Sequence, residues 1–282
     1  MTPLPEGRLY LVATPIGHLE DITLRALRVL KEVHLIAAED TRHTGKLLHH
    51  YGITTPQVSY HQHNWRQRLG ELLQRLQAGE QIALVSDAGT PGISDPGQEL
   101  VQACLAQGIP VTPVPGCNAA ITALVASGLP TTPFLFLGFL PPRETARRQV
   151  LQRVKVVAAT LICYEAPHRL VASLTTMTEV LGDRRCVVAR ELTKVHEEFW
   201  RGTLSAAARH YVEHPPKGEI TLVVAGAEPN PDIPLAQVQS EVERLVAQGL
   251  GCREIAQQLA AQTGWPRRTL YQLALQCHRQ GS

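Results

Sequence analysis

The chain has 282 residues, a formal net charge of +2, and 44% hydrophobic and 18% charged residues. That length is long for one core and predicts two domains, while the composition is that of an ordinary globular protein without low-complexity segments or repeats. So small a net charge neither requires nor excludes a nucleic-acid partner; the distribution of charge decides more than its sum. Six cysteines, at 104, 117, 163, 186, 252 and 277, are scattered without C-x-x-C spacing, as expected of reduced core cysteines in a cytoplasmic protein. No charged-then-apolar leader opens the sequence, and no apolar stretch nears the ~20 residues of a membrane span. His49-His50 and His61-Gln62-His63 lack the carboxylate or cysteine partners that would complete a metal site, so none is expected.

Residues 8–13 read as a strand that ends in Thr14-Pro15-Ile16-Gly17. A helix capped by Asp21 follows, burying Leu24, Leu27 and Leu30. A second strand, 33–38, ends in Glu39-Asp40-Thr41-Arg42, and a short helix covers 44–50. A short strand at 58–60 precedes a helix marked by Leu69, Leu72, Leu73 and Leu76 and closed by Gly79. The apolar run 82–85 suits a strand buried on both faces. It breaks into the loop 86–97, which carries Gly89, Pro91, Gly92, Pro96 and Gly97, and Asp95 before Pro96 predicts a helix N-cap with Gln98 closing a capping box. A strand at 111–114 leaves through Pro115-Gly116-Cys117-Asn118 into a small-residue helix ending at Ser127. Alternating strands and helices imply a mostly parallel sheet, in which ligands bind beyond the carboxyl ends of the strands. The Gly/Pro-rich exits 14–17, 86–97 and 115–118 are therefore expected to line one crevice. The 86–97 loop matches neither G-x-x-x-x-G-K-[ST] nor G-x-G-x-x-G, has no lysine or arginine, and offers Asp87 and Asp95. That suits a ligand without phosphates; a plain strand-to-helix turn is the competing reading.

The apolar run 134–138 closes the first lobe. A second alternation follows: a basic helix at 143–153, strands at 160–164, 186–189 and 220–225, and a helix at 204–211. Residues 227–234 have the stiffness and polarity of a linker. Helical patterns at 235–248, 252–262 and 267–278 come next, the last two split by Thr263-Gly264-Trp265-Pro266 in the outline of a helix-turn-helix. The expected architecture is α/β: an N-terminal lobe, 1–138, a C-terminal lobe, 139–228, and a linker with a helical tail, 229–282.

Thr14-Pro15-Ile16-Gly17, Glu39-Asp40-Thr41-Arg42, the 86–97 loop and Pro115-Gly116 resemble the first lobe of the tetrapyrrole methylase fold. Four further stretches resemble one subgroup, the ribosomal small subunit methyltransferases I: 136–141 (Phe-Leu-Gly-Phe-Leu-Pro), 164–169 (Tyr-Glu-Ala-Pro-His-Arg), 189–198 (Ala-Arg-Glu-Leu-Thr-Lys-Val-His-Glu-Glu) and 217–219 (Lys-Gly-Glu). Ser86-Asp87-Ala88 departs from the Gly-Asp-Pro common elsewhere in the fold, a departure expected in that subgroup. The resemblance implies two lobes with S-adenosyl-L-methionine between them, a homodimer, and methylation of the ribose 2′-oxygen of a cytidine in 16S ribosomal RNA of the small subunit, cytidine 1402 in the family. By position it assigns cofactor contacts to Pro15, Asp87, Gly89, Pro91, Ile93, Gly116 and Cys117 from the first lobe, and to Tyr164, Ala166, Leu192 and Gly218 from the second.

A ribose hydroxyl is a weak nucleophile until its proton is removed or its charge stabilised. The densest supply of suitable groups is 190–198. There Lys194 would stabilise a developing alkoxide or hold a phosphate, and Glu197, Glu191 or His196 would accept the proton. A merely solvated charged loop is the alternative. Arg143, Arg147, Arg148, His168, Arg169 and Arg190 are the candidates for holding RNA, against which Glu165 and Arg169 could simply pair with each other, as could Asp40 and Arg42. Two other readings remain open: a same-fold methylase of a small, tetrapyrrole-like molecule, and a nucleic-acid-binding regulator acting through the C-terminal helices, with Arg267 and Arg268 on phosphates.

Overall fold

A computed structural model describes residues 7–227 and 234–280. The first half builds β1 (Arg8–Val12), α1 (Leu24–Glu32), β2 (Leu35–Ala38), α2 (Thr41–His50), β3 (Gln57–Ser59), α3 (Trp65–Gln77), β4 (Gln81–Val85), α4 (Gln98–Ala106), β5 (Val111–Val114) and α5 (Ala119–Ser127). The strands form one wholly parallel sheet in the order β3-β2-β4-β1-β5. Two apolar clusters cover its faces. One gathers Val12, Ile36 and Val85 with Ala26, Val29 and Leu30 of α1; the other gathers Leu9, Ile82 and Leu84 with Leu72 and Leu76 of α3 and Leu100 of α4. Burial on both sides explains why β2 and β4 read as unbroken apolar runs.

Two helix starts differ from expectation. Thr23, not Asp21, caps α1, its hydroxyl accepting from the Ala26 N–H, because it directly precedes the first helical residue. At α4 the N-cap is Gly97 at φ +145°, where a Cβ would meet Leu84 Cδ2 at 2.7 Å. Only glycine fits there, and Asp95 is left to face elsewhere.

The second half builds β6 (Phe134–Phe139), α6 (Glu144–Val154), β7 (Thr160–Glu165), α7 (Leu170–Leu181), β8 (Arg185–Arg190), β9 (Glu198–Thr203), α8 (Leu204–Glu213) and β10 (Ile220–Val224). Their order is β6-β7-β10-β8-β9, with only β6 and β7 parallel. The sheet is mixed because β10 runs antiparallel to both β7 and β8, and β9 antiparallel to β8 in a hairpin across residues 191–197. β9 was not foreseen; its sequence, Glu-Phe-Trp-Arg-Gly-Thr, follows directly on the charged stretch. The run 134–138, expected to close the first lobe, is instead the edge strand of this second sheet, so the division between sheets falls before Phe134. Helix α5 packs on the second sheet through Ala120, Ala123 and Leu124 against Ile162, Val187 and Val223, and its small residues permit that close approach.

The described residues fall into two compact units, one of 7–153 with 160–225 and one of 154–159 with 226–227 and 234–280. The second contains α9 (Leu235–Ala247), α10 (Cys252–Thr263) and α11 (Arg267–Gln280) around Val238, Val242, Leu245, Ile255, Leu259, Leu270 and Ala274. Gly264, at φ +69°, turns the chain between α10 and α11, in keeping with the helix-turn-helix outline. Most of the expected linker, 227–234, lies outside the described residues. No described helix is long and apolar enough to cross a membrane.

Arg147, expected on RNA, is 4% exposed. Its guanidinium donates to Thr176 Oγ1 from Nε (3.1 Å) and Nη2 (3.0 Å) and to the carbonyls of Pro142 and Ala172. It ties α6 to α7 and is unavailable to a ligand. Arg147→Ala is expected to cost about 2 kcal/mol and lower the melting temperature by about 5 °C, whereas Arg148→Ala, which breaks an exposed pair with Glu144 and Glu179, stays within about 0.5 kcal/mol. Thermal denaturation of the two variants checks this.

Candidate active site

At the carboxyl ends of the first sheet the strand exits are fastened to one another. Thr14 and Gly89 exchange backbone hydrogen bonds of 2.9 and 3.0 Å, and Thr14 Oγ1 donates to the Ser86 carbonyl. Gly89 holds φ +82° to make that turn. The Thr90 hydroxyl donates to the Cys117 carbonyl at 3.0 Å. Across to the β2 exit, Asp87 Oδ1 accepts from the Asp40 N–H and the Asp87 N–H donates to Glu39 Oε2. Four loops distant in sequence thus become one rigid rim.

The rim borders a cavity of about 400 Å³, within the range of small-molecule sites. The first sheet's loops supply Ile16, Glu39, Asp87, Gly89, Ile93 and Asp95; the second sheet's supply Tyr164, Glu165, Ala166, Leu192, Gly218 and Glu219. Of the residues expected to contact the cofactor, Asp87, Gly89, Ile93, Tyr164, Ala166, Leu192 and Gly218 line this cavity, and Pro15, Pro91, Gly116 and Cys117 do not. Gly116 instead abuts β1, since a Cβ there would lie 2.9 Å from Ala13 Cβ, and Cys117 acts through its carbonyl on Thr90.

The lining carries five carboxylates, Glu39, Asp87, Asp95, Glu165 and Glu219, and no lysine, arginine or histidine. Burial raises the Glu39 pKa, partly opposed by the Asp87 N–H, and the Asp87 charge adds to the rise. Burial, then the charge of Glu39, pushes Asp95 up to about 6, against a hydrogen bond from Ser86. Glu165 is 2% exposed and fully engaged: it accepts from Ser173 Oγ and the Ala166 N–H, and Arg169 Nε lies 3.2 Å away. Arg169 also donates to the Leu140 carbonyl. The Glu165–Arg169 pair therefore exists, as does the Asp40–Arg42 pair at 2.8 Å, and Arg169 is committed within the protein. His168 and Arg143 are exposed. Sequence reasoning missed Glu39 and Glu219 as site residues, although the motif at the β2 exit pointed to the first; it offered Asp95 to a ligand but left it out of the assigned contacts after giving it a helix cap.

At the cavity mouth the hairpin turn folds on itself. Glu191 Oε1 accepts from Lys194 Nζ (2.8 Å) and from the Glu219 N–H (2.9 Å), while Nζ also reaches Glu219 Oε2 (3.0 Å). Burial opposes both charges, but these bonds prevail, lowering the Glu191 pKa and raising that of Lys194. Glu197 Oε2 accepts from the Thr193 N–H at 2.7 Å, closing the turn, and His196 is exposed. Glu191 and Thr193 hold φ of +50° and +64°, backbone strain of the kind that gathers at functional sites. The turn presses against the β1 exit: a Cβ on Gly17 would lie 2.5 Å from Lys194 Cγ, and the Thr193 hydroxyl accepts from the His18 N–H.

The description of tetrapyrrole (corrin/porphyrin) methylases matches residues 8–208. The chain belongs to the tetrapyrrole methylase family. Within it, the chain is 56% identical over 278 residues to the ribosomal RNA small subunit methyltransferase I of Synechocystis sp., covering 98% of this chain and all of that protein. Proteins of the same name from Halalkalibacterium halodurans and Bacillus subtilis are 51% and 46% identical, over 95% and 94% of this chain and 94% and 93% of theirs. This tetrapyrrole methylase is thus a ribosomal RNA methyltransferase of that branch. Solved structures share its fold: a uroporphyrin-III C-methyl transferase from Thermus thermophilus, complexed with S-adenyl homocysteine, is 23% identical, covers 77% of this chain and 97% of its own, and has a TM-score of 0.54. The methyltransferase CobJ is 18% identical over 78% of this chain and 95% of its own, with a TM-score of 0.60.

Ionised Asp95 costs the folded state stability above about pH 6, and that cost disappears below its unfolded value near ~4. Asp95→Asn is therefore expected to be more stable than the parent at pH 8, by about 1 kcal/mol once solvent screening is allowed for, and equal to it at pH 4. Melting curves at the two pH values measure the difference.

Proposed function

We propose that this methyltransferase uses S-adenosyl-L-methionine to methylate the ribose 2′-oxygen of a cytidine in 16S ribosomal RNA. The observation that carries the donor assignment is the cavity lining: five carboxylates, apolar walls and no basic side chain. Such a lining favours a cationic ligand without phosphates and disfavours a nucleotide phosphate. When bound, the donor supplies a methyl group on positively charged sulfur. The rigid rim holds Asp87 and Gly89 in place before any ligand arrives, which lowers the ordering cost of binding. The donor's chemical class rests on this lining, and the choice of a cytidine 2′-oxygen rests on the resemblance of the 136–141, 164–169, 189–198 and 217–219 stretches.

Transfer forms an oxygen–methyl bond, breaks a sulfur–methyl bond and releases the hydroxyl proton. Lys194, kept protonated by Glu191 and Glu219, is suited to stabilising negative charge on the sugar oxygen and unsuited to accepting the proton. Glu191 holds Lys194 in place, and Glu197, spent on the Thr193 N–H, acts as the clasp of the turn. Among the lining carboxylates, Asp95 is the available proton acceptor; Glu165 is saturated and Glu219 is bound to Lys194. Arg143, Arg148, His168 and Arg190 remain the candidates for RNA contact, Arg147 and Arg169 being committed within the protein. A homodimer is the assembly that the resemblance implies, and sedimentation would measure it.

Tritium-labelled donor, incubated with the protein and small ribosomal subunits lacking the modification, is expected to yield label as 2′-O-methylcytidine after digestion to nucleosides. Label on a base, or none on RNA, would sink the reading. Lys194→Ala is expected to lower kcat about 100-fold with donor affinity by calorimetry within about threefold; unchanged kcat removes Lys194 from the chemistry.

A further inference from the structure

A second groove, of about 330 Å³, lies on the α8 side of the second sheet, at the same end of the sheet as the cavity. Arg190 and Lys217 on its border are the immediate chain neighbours of Ala189 and Gly218, which line the cavity. Ala189 and Arg190 are successive residues of β8 and point to opposite faces of the second sheet, Ala189 toward α5 and Arg190 toward α8, so a strand of substrate leaving the cavity reaches the groove by rounding the sheet's end at Arg190 and Lys217. The hairpin register sets Arg190 opposite Glu198, with Nε 2.8 Å from Oε2, and Arg190 Nη1 donates to the Lys217 carbonyl. This fixes a guanidinium at the lip, beside the exposed Lys217 ammonium.

The groove's other side is aromatic. His210 and His214, one turn apart on α8, stack with ring centres 4.7 Å apart and planes 19° apart. Trp200 of β9 lies nearly parallel to His210, at 5.6 Å and 27°. A Cβ at position 202 would sit 2.5 Å from the indole, so Gly202 is what lets the ring lie across the strand. The series of rings ends at the exposed His214, whose Nδ1 lies 3.1 Å from the His210 carbonyl. Tyr211 also borders the groove. It is 3% exposed, and its hydroxyl is buried with no hydrogen-bond partner among the described residues.

Stacked rings beside fixed cations are the chemistry of single-stranded RNA binding, in which bases lie on aromatic faces and phosphates on Lys or Arg. We propose that this groove holds the nucleotide adjoining the methylated one, its base extending the Trp200–His210–His214 series and its phosphate on Lys217 and Arg190. The proposal rests on RNA being the substrate, as above, and adds where the strand runs.

Steady-state methylation of small subunits tests it in two variants, His210→Ala combined with His214→Ala, and the charge reversal Lys217→Glu at an exposed site. The KM for subunits is expected to rise about tenfold in each, with kcat and donor affinity within about twofold. Ultraviolet cross-linking of the parent protein to subunits is expected to leave nucleotide adducts on Trp200, His210 or His214. An unchanged KM in the folded variants, checked by melting curves, overturns the proposal, as do cross-links from the groove to a ribosomal protein. Should the double variant fail to fold, the Lys217→Glu KM alone decides. If the parent labels no RNA, the functional reading fails; if it labels RNA and the groove variants match it, the groove assignment alone fails.

Discussion

The pair of backbone hydrogen bonds between Thr14 and Gly89 holds the site together. It joins the exits of β1 and β4, adjacent strands whose loops would otherwise move independently. Two glycine- and proline-rich segments become one surface, and the bonds from Asp87 to Asp40 and from Thr90 to Cys117 extend it to the β2 and β5 exits. Each bond contributes about 1 kcal/mol. Their larger effect is geometric, because a rim fixed before binding has little conformational entropy left to lose.

The second sheet completes the cavity by close approach. Gly218, at φ +86°, makes room for the Glu191 carboxylate, which a Cβ would meet at 2.2 Å; Gly17 does the same for Lys194. The strained Glu191 and Thr193 are held by bonds from Glu191 N–H to the Glu219 carbonyl, from Thr193 N–H to Glu197, and from His18 N–H to the Thr193 hydroxyl. The charge pattern follows from the same packing. Carboxylates gather inside, where burial and mutual repulsion raise the Glu39 and Asp95 pKa values, while Lys194 and Arg190 sit just outside on the hairpin. A region suited to a cationic ligand within and one suited to an anionic ligand at the mouth thereby lie a few residues of chain apart.

Much of the fold was legible. The apolar run at 82–85 and the leucine spacing at 69–76 reported a strand and a helix directly, since burial on one or both faces leaves a trace in the sequence. β8 was expected at 186–189, but β9 left no such trace: its sequence alternates weakly, and the turn before it looked like a solvated charge run. Arg147 was misread for a related reason. On the helix it resembles Arg143 and Arg148, and only the position of Thr176 on the neighbouring helix shows that its guanidinium is buried.

The sequence by itself determined the α/β alternation, the loop without basic residues, and the stretches that mark the family, because these depend on local composition and order. The tertiary structure decided which groups meet. Asp95 joined Glu39 instead of capping a helix, Glu197 became a clasp, and Lys194 was pinned between Glu191 and Glu219. Such pairings depend on distances between segments far apart in the chain, and hydrogen bonds and charges act over a few ångströms of space regardless of sequence separation.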